Sequence, residues 1–375
     1  MTHPARASVG TSPSTPPGTL SVHITPQWQI RGPGGLALAP KVLDWLVAVQ
    51  QHGSLSAACH HGGASYRHAW KLLREAEAAL GSPLLSMSRG KGSVLTPLGE
   101  RLVWAQRRVA ARLGPQLDSL ALELEAELRR VLAEADRPLR LWASHGFAIE
   151  QLQRQMADTG QPLDWRYCDS SQALAALQAG TCELASLHIP LGALQAELLR
   201  QHAPLLGPDW RYIHLVTRRQ GLMVRPGNPQ KVYGVADLAR PGLRFIPRSP
   251  GSGTRLLLEH LLRHEGIAAE QVARGEQGEH THAAVAAYVA SGMADVAFGV
   301  ETSARRFGLE FIPVQTERYG LVCAPETLST PGAQGLIATL HSPAYREAIA
   351  SLPGYEADHC GEVGEARALF AGWPA

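Results

Sequence analysis

Two groups of residues in this 375-residue sequence have types and spacings suited to holding anions. The first is the run Pro250-Gly251-Ser252-Gly253-Thr254-Arg255. A glycine-rich turn opening onto a helix leaves backbone N–H groups free and presents the positive end of a helix dipole. Here it adds the hydroxyls of Ser252 and Thr254, while Arg248 and Arg255 can supply charge-assisted hydrogen bonds. Such a cradle takes phosphate, sulfate, molybdate or a carboxylate alike. Facing it across a predicted cleft, Ser144 and His145 follow one predicted strand and His188 closes another. Ser170 and Ser171 open a helix after the strand between them, and His282 stands at a further helix start. Strand C-terminal ends facing helix N-termini are where open α/β sheets bind ligands. The candidate ligand-binding set is Ser144, His145, Ser171, His188, Arg248, Ser252, Gly253, Thr254, Arg255 and His282.

The second group suits a longer polyanion. Residues 40–112 carry ten Lys/Arg against four Asp/Glu in a chain whose net charge is only +2. A basic segment on a nearly neutral chain points to nucleic acid as its partner. Within it, Ser65, Tyr66, Arg67, His68, Lys71 and Arg74 occupy one predicted helix, and Arg89 and Lys91 a glycine turn. Arg67 has the fork for a guanine edge, whereas Lys71 and Arg74 suit phosphates. Arg89 and Lys91 can reach phosphate or the minor groove. A winged helix used for protein contacts needs no such basic row.

The elements that must position these residues follow from periodicity and caps. Residues 28–38 read as a short strand or hairpin turning at Gly32 to Gly35. Pro40 opens a helix with Val42, Leu43, Leu46, Val47 and Val49 on its apolar face, ended by Gly53. Ser54 caps a short second helix; after the turn at His61 to Gly63, Ser65 caps a third that runs to about Leu80. That third helix turns Ala69, Leu72, Leu73, Ala76 and Leu80 inward. Helices of this spacing form a helix-turn-helix, and two short strands around Arg89 to Gly92 form a wing. A long helix follows, over residues 97–135. Its Leu113, Leu117, Leu120, Leu124, Leu128 and Val131 fall near a heptad seam that argues for a partner helix. Gly114-Pro115 is expected to kink or break it. From Arg137 strands alternate with helices, predicting a mostly parallel sheet. Extended segments at 222–225 and 319–323 bracket a second alternating unit, the wiring of a hinged, two-lobed domain.

Other chemistry is disfavoured. Cys59, Cys168, Cys182, Cys323 and Cys360 are scattered without a CxxC pair, which suits reduced thiols in cytosol rather than a disulfide scaffold or zinc cluster. Cys59-His60-His61 cannot readily converge on one ion, and His280 and His282 suit a helix start better than a metal. Ser144, His145 and Asp169 invite a hydrolase reading, but no nucleophile-elbow motif is present. Trp142, Trp165 and Trp210 suit the core. No catalytic set is assigned, so an enzyme is not expected, and no cofactor is implied. Residues 1–24, rich in Pro, Ser, Thr and Gly, are expected to be a disordered leader without a signal-peptide core. No stretch approaches the roughly 20 apolar residues that cross a membrane.

Several of these runs also resemble known families. Gly53-Ser54-Leu55-Ser56-Ala57-Ala58, Ala64-Ser65-Tyr66-Arg67-His68-Ala69-Trp70, Gly90-Lys91-Gly92 and Leu95-Thr96-Pro97-Leu98-Gly99-Glu100-Arg101-Leu102 resemble the N-terminal domain of the molybdate-responsive ModE regulators. That domain is a relative of LysR-type DNA-binding domains, and the resemblance implies dimerisation through the long helix. The small molybdate-binding domains that ModE carries beyond it have no counterpart here. Instead, Arg225-Pro226-Gly227-Asn228-Pro229, Pro250-Gly251-Ser252-Gly253-Thr254-Arg255-Leu256-Leu257, Thr281-His282-Ala283-Ala284-Val285-Ala286 and Gly292-Met293-Ala294-Asp295-Val296-Ala297-Phe298-Gly299 resemble a periplasmic-binding-protein-like domain. The relatives of that domain are similar to molybdate- and tungstate-binding proteins.

The expected architecture is multi-domain: leader 1–24, winged helix-turn-helix 25–98, linker and dimerisation helix 99–136, and an α/β two-lobed, type II binding-protein-like domain 137–375 with its second lobe at about 222–318. The expected function is a cytoplasmic, DNA-binding transcriptional regulator, a homodimer or dimer of dimers, that senses molybdate, tungstate or a molybdenum-linked metabolite. Its expected partners are double-stranded DNA and a small anion, with no membrane. The alternatives are a formate- or carboxylate-responsive regulator, and an anion- or molybdenum-cofactor-binding protein whose winged helix only contacts other proteins.

Overall fold

The computed structural model describes residues 22–26, 28–31, 38–88, 92–132, 138–158, 163–272 and 278–374. The N-terminal unit is built from α1 (Lys41–His52), α2 (Leu55–His61) and α3 (Tyr66–Leu80), followed by the β1 (Leu85–Ser88) and β2 (Gly92–Leu95) pair. Gly53 ends α1 at φ 79°, a conformation that favours glycine, and the Ser54 hydroxyl accepts from Ala57 N–H to start α2. Leu46, Leu55, Ala69, Leu73, Leu84 and Val103 close one core. Each fully buried leucine contributes about 1.5–3 kcal/mol. Leu72 and Leu80, expected inward, are only half-buried, because the inner row of α3 continues instead to Glu77.

Some expectations need correction here. Ser65 makes no side-chain cap; its carbonyl alone receives the N–H groups of His68 and Ala69. Of the expected leader, residues 1–21 lie outside the described residues, but Val22 donates to a Glu125 carboxylate oxygen at 3.3 Å, which ties the leader's end to the next helix. The expected turn at Gly32 to Gly35 and the wing tip with Arg89 and Lys91 also lie outside the described residues. The long helix α4 (Pro97–Leu132) runs unbroken through Pro115, packed against elements of both lobes. Where α4 leaves β2, Gly99 is required: a Cβ there would stand 2.4 Å from the Leu84 carbonyl oxygen.

Beyond α4 the chain forms β3 (Leu139–Ala143), α5 (Phe147–Asp158), β4 (Leu163–Tyr167), α6 (Ser170–Gln178), β5 (Leu184–Pro190) and α7 (Leu194–His202). The long β6 (Arg211–Val224) leads into a second lobe of β7 (Phe245–Ile246), α8 (Gly253–His264), α9 (Ala269–Val272), α10 (His282–Ala290), β8 (Val296–Val300) and α11 (Glu301–Arg306). The equally long β9 (Glu310–Cys323) returns to the first lobe, which α12 (Pro331–His341), α13 (Pro343–Ala350), β10 (Tyr355–Glu356), β11 (Val363–Glu365) and α14 (Ala366–Leu369) complete. The sheet order is β4-β3-β5-β9-β6-β8-β7, with β10 and β11 on β6. It is mixed, not mostly parallel. β5/β9, β9/β6 and β6/β8 are antiparallel, because two strands cross between lobes in opposite directions. The extended segments read at 222–225 and 319–323 are ends of these crossing strands.

Glu77 explains how the wing is fixed to α3. Its carboxylate accepts from the Leu84 and Leu85 N–H groups at 2.8 and 3.1 Å and from Arg74 at 2.9 Å. Burial alone would raise its pKa, but Arg74 and the two N–H groups prevail and lower it. Its stabilising contribution is therefore present above the ordinary carboxylate pKa and lost as pH falls through the lowered value. Glu77→Gln should destabilise the N-terminal unit by about 1–3 kcal/mol in urea unfolding and flatten the acid side of its stability profile.

Candidate functional site

On the N-terminal unit, Tyr66, Arg67, His68, Lys71 and Arg74 are all exposed along α3, with Ser65 exposed at its start. Tyr66 stacks on Trp70 at 6.0 Å, and Arg74 lies over the same ring at 5.1 Å. Arg74 is further engaged by buried Glu77, and Lys71 stands 3.8 Å from Glu75 on the surface. Arg67 and His68 are the least committed of the row, one helical turn from the glycine turn that aims α3 outward.

The second assembly is buried between the lobes. Arg218 of β6 sits opposite Glu317 of β9 in register and donates to it at 2.7 Å. Its Nη2 donates to His188 Nδ1 at 3.0 Å, which leaves the proton of that ring on Nε2 facing the Ser144 hydroxyl at 2.7 Å. Tyr319 stacks on His188 at 4.2 Å and donates to the Ser144 carbonyl at 3.0 Å. From the same strands, Gln220 donates to Glu317 at 2.8 Å and across to the Thr254 hydroxyl at 3.1 Å. His282 accepts from the Val300 N–H at 3.3 Å, turning its other nitrogen to Thr254 at 3.5 Å. The lobes meet closely: a Cβ on Gly253 would stand 2.8 Å from the His188 ring.

Arg248 completes the cluster on the second lobe. It is buried, and its Nε and Nη2 donate to the carbonyls of Glu279 and His280 at 3.0 and 2.7 Å. No carboxylate stands among its described partners, and its Nη1 has none. Burial, then Arg218, lowers its pKa to about 9, against the opposing pull of the buried Glu279 carboxylate. Burial likewise keeps His188 and His282 neutral, well below the ordinary histidine range, and lowers His145 to about 3. Arg218 is the opposite case: Glu317 overrides its burial and raises it. The cluster thus combines neutral donors with a buried guanidinium whose described hydrogen bonds go to main-chain carbonyls, an arrangement that can accept an anion.

Several predicted ligand residues lie here: Ser144, His188, Arg248, Gly253, Thr254 and His282. Ser252 is spent on capping α8, accepting from Arg255 N–H at 3.2 Å. Arg255 is turned away, bonded to Glu259 at 2.9 Å and to the Arg248 carbonyl at 3.2 Å, because position 255 shares a helix face with 259. Ser171 shows no contact with the cluster; α6 begins one residue earlier, and Ser170 is the buried member, its hydroxyl unpartnered. His145 stacks on Tyr167 at 3.7 Å and bonds to the Pro115 carbonyl, so it lies against α4. Arg218, Gln220, Glu317 and Tyr319 were not among the predicted ligand residues. Their signal was period-two spacing, 218 with 220 and 317 with 319, the last at the start of the extended segment read at 319–323. Among the described residues no group of three or more His, Cys, Asp or Glu is placed to hold a metal ion. Nor is any described helix long and apolar enough to cross a membrane.

Residues 149–341 match the family described as PBP superfamily domain, and residues 41–100 match the one described as bacterial regulatory helix-turn-helix protein, lysR family. The uncharacterized protein YvgK of Bacillus subtilis is 31% identical over 238 residues, 62% of this chain and 75% of its own length. The molybdenum-pterin-binding protein MopB of Rhodobacter capsulatus is 29% identical over 31% of this chain and 45% of its own. Among solved structures, the full-length LysR-type regulator LysG of Corynebacterium glutamicum with bound effector Arg aligns over 83% of this chain and 98% of its own, at 19% identity and TM-score 0.39.

The neutral histidines set a pH limit. The unfolded chain takes up protons near pH 6.5 that buried His145, His188 and His282 refuse, so stability is lost as pH falls below about 6.5. Each histidine contributes up to about 1.4 kcal/mol per pH unit until its folded pKa is reached. The thermal midpoint of the ligand-free chain should fall steeply from pH 6.5 to 5. A midpoint constant over that range would contradict the buried neutral cluster.

Proposed function

We propose a function from this premise: the chain belongs to the PBP superfamily, carries a LysR-type helix-turn-helix ahead of that domain, and is a DNA-binding transcriptional regulator with a ligand-binding domain. The ligand is a small oxyanion held between the lobes, and its class is best represented by molybdate or tungstate. The observation that carries this is Arg248, a buried guanidinium with one unpartnered N–H edge and no carboxylate among its described partners. The resemblance of residues 53–102 to molybdate-responsive regulators and the match to a molybdenum-pterin-binding protein both favour a molybdenum-linked anion. The charged rather than neutral donor at Arg248 keeps one second reading open, a carboxylate such as formate. The ligand draws on Arg248, Ser144, His188, Gly253, Thr254 and His282, with Arg218 behind His188.

The chain acts as a homodimer in the cytoplasm. Leu113, Leu120, Leu124 and Leu128 of α4 are exposed on one seam, and a second α4 would cover them. Tyr66, Arg67, His68 and Lys71 of α3 enter the major groove, with Arg67 at a base edge. Arg67→Ala should weaken duplex binding by about 1–3 kcal/mol without changing the thermal midpoint, read by fluorescence anisotropy at fixed salt.

The ligand test is the thermal midpoint of the full chain against molybdate, tungstate, sulfate, phosphate and formate. At 100 times its dissociation constant the right anion stabilises by about 2.7 kcal/mol. Arg248→Met should lose that shift, its own midpoint without added anion being the baseline against which the shift is read. An equal shift in wild type and Arg248→Met would remove the site from the reading, and no shift with any of the five would remove the anion.

A further inference from the structure

Pro115 stands in the interior of α4, where it lacks the N–H that would close onto the Ala111 carbonyl four residues earlier. That carbonyl is nevertheless satisfied, because the Thr281 hydroxyl donates to it at 3.0 Å. Thr281 caps α10 from the second lobe, accepting from Ala284 N–H at 3.0 Å, and is followed directly by His282 of the cleft. One turn further along α4, the Pro115 carbonyl takes the His145 imidazole of the first lobe and the Ser119 hydroxyl. Between these two ties Arg112 lies 3.4 Å from buried Glu279, whose main-chain oxygen receives Arg248 Nε. The helix that leaves the DNA-binding unit is therefore fastened to both lobes.

We propose that Pro115 makes α4 the reader of the cleft, by freeing the Ala111 carbonyl to clasp Thr281 on one lobe while its own carbonyl holds His145 on the other. The clasp has two states. Closed, Thr281 supplies the donor that the proline withholds, and α4 stays straight. Open, Ala111 has no donor within the helix, and α4 bends where proline-containing helices bend. Lobe spacing is thereby converted into the direction in which α4 carries the helix-turn-helix. That the trigger is an anion beside Arg248 rests on the function proposed above.

A double-mutant cycle read by hydrogen exchange of the full chain tests this. In the wild-type background Thr281→Ala should raise amide exchange over residues 108–122 by about fivefold or more, since the unclasped helix opens locally. In a Pro115→Ala background, where the restored N–H serves the Ala111 carbonyl, the same Thr281→Ala change should leave that segment within about twofold. Fraying at the start of α10, where the cap is lost, should be equal in both backgrounds, which separates the clasp from the cap. An equal effect on α4 in both backgrounds, or none in either, overturns the proposal. With saturating sodium molybdate, exchange over 108–122 should shift in the wild type and not in Pro115→Ala, while both keep the molybdate-induced rise in thermal midpoint. A wild-type chain whose midpoint rises but whose α4 exchange does not move overturns the reader role. No midpoint rise with a positive cycle would overturn the anion reading and sustain the clasp.

Discussion

The structure depends most on one ion pair, Arg218 with Glu317. The two residues face each other in register on the two strands that cross between the lobes, and both are almost fully buried. Charges so enclosed persist only when they are paired and hydrogen-bonded, and removing one partner of such a pair costs about 3–5 kcal/mol. The pair also orders its surroundings. Arg218 sets the tautomer of His188 and so the direction in which Ser144 is held, and Glu317 sets the orientation of the Gln220 amide, since only an N–H edge can face a carboxylate. Through Gln220 the same carboxylate reaches Thr254 on the opposite lobe.

Beside that pair stands Arg248, whose described hydrogen bonds go to main-chain carbonyls alone. Every other polar group at the centre is a neutral hydroxyl, amide or imidazole. The segment that anchors Arg248, residues 279–280, is continuous with Thr281, so the cation of the cleft and the contact with α4 are held by one short stretch of chain. A binding event between the lobes and the posture of a helix more than a hundred residues earlier in the chain thus share a few neighbouring backbone atoms.

Much of this was legible from the sequence. Gly53 and Ser54 marked helix ends by local chemistry, and strand-helix alternation placed Ser144, His188 and Thr254 at element ends that face one another. Arg218 and Gln220 were not legible. They sit in Thr217-Arg218-Arg219-Gln220, a run too polar to read as a buried strand, and the carboxylate that allows it to be buried lies 99 residues away. Arg255 misled for the converse reason. Its place in a phosphate-cradle motif suggests a ligand, but a helix turns position 255 toward Glu259, and only coordinates show which face meets the cleft. Pro115 read as a break because the donor that compensates for it, Thr281, is equally remote.

The crossing strands carry a register irregularity between Gln220 and Gly221, and a Cβ at Gly221 would lie 2.1 Å from the Ile312 carbonyl oxygen. The passage from one lobe to the other is therefore made next to a residue that reaches into the cleft, over a glycine with no room for any other side chain. Divergence of such a chain toward new effectors is channelled by this. Loops such as 250–254 and 279–282 can change to suit a differently shaped molecule, whereas the Gln220–Gly221 step must be inherited intact. Homologues with unlike effectors should then differ at the rims of the cleft and agree along its floor.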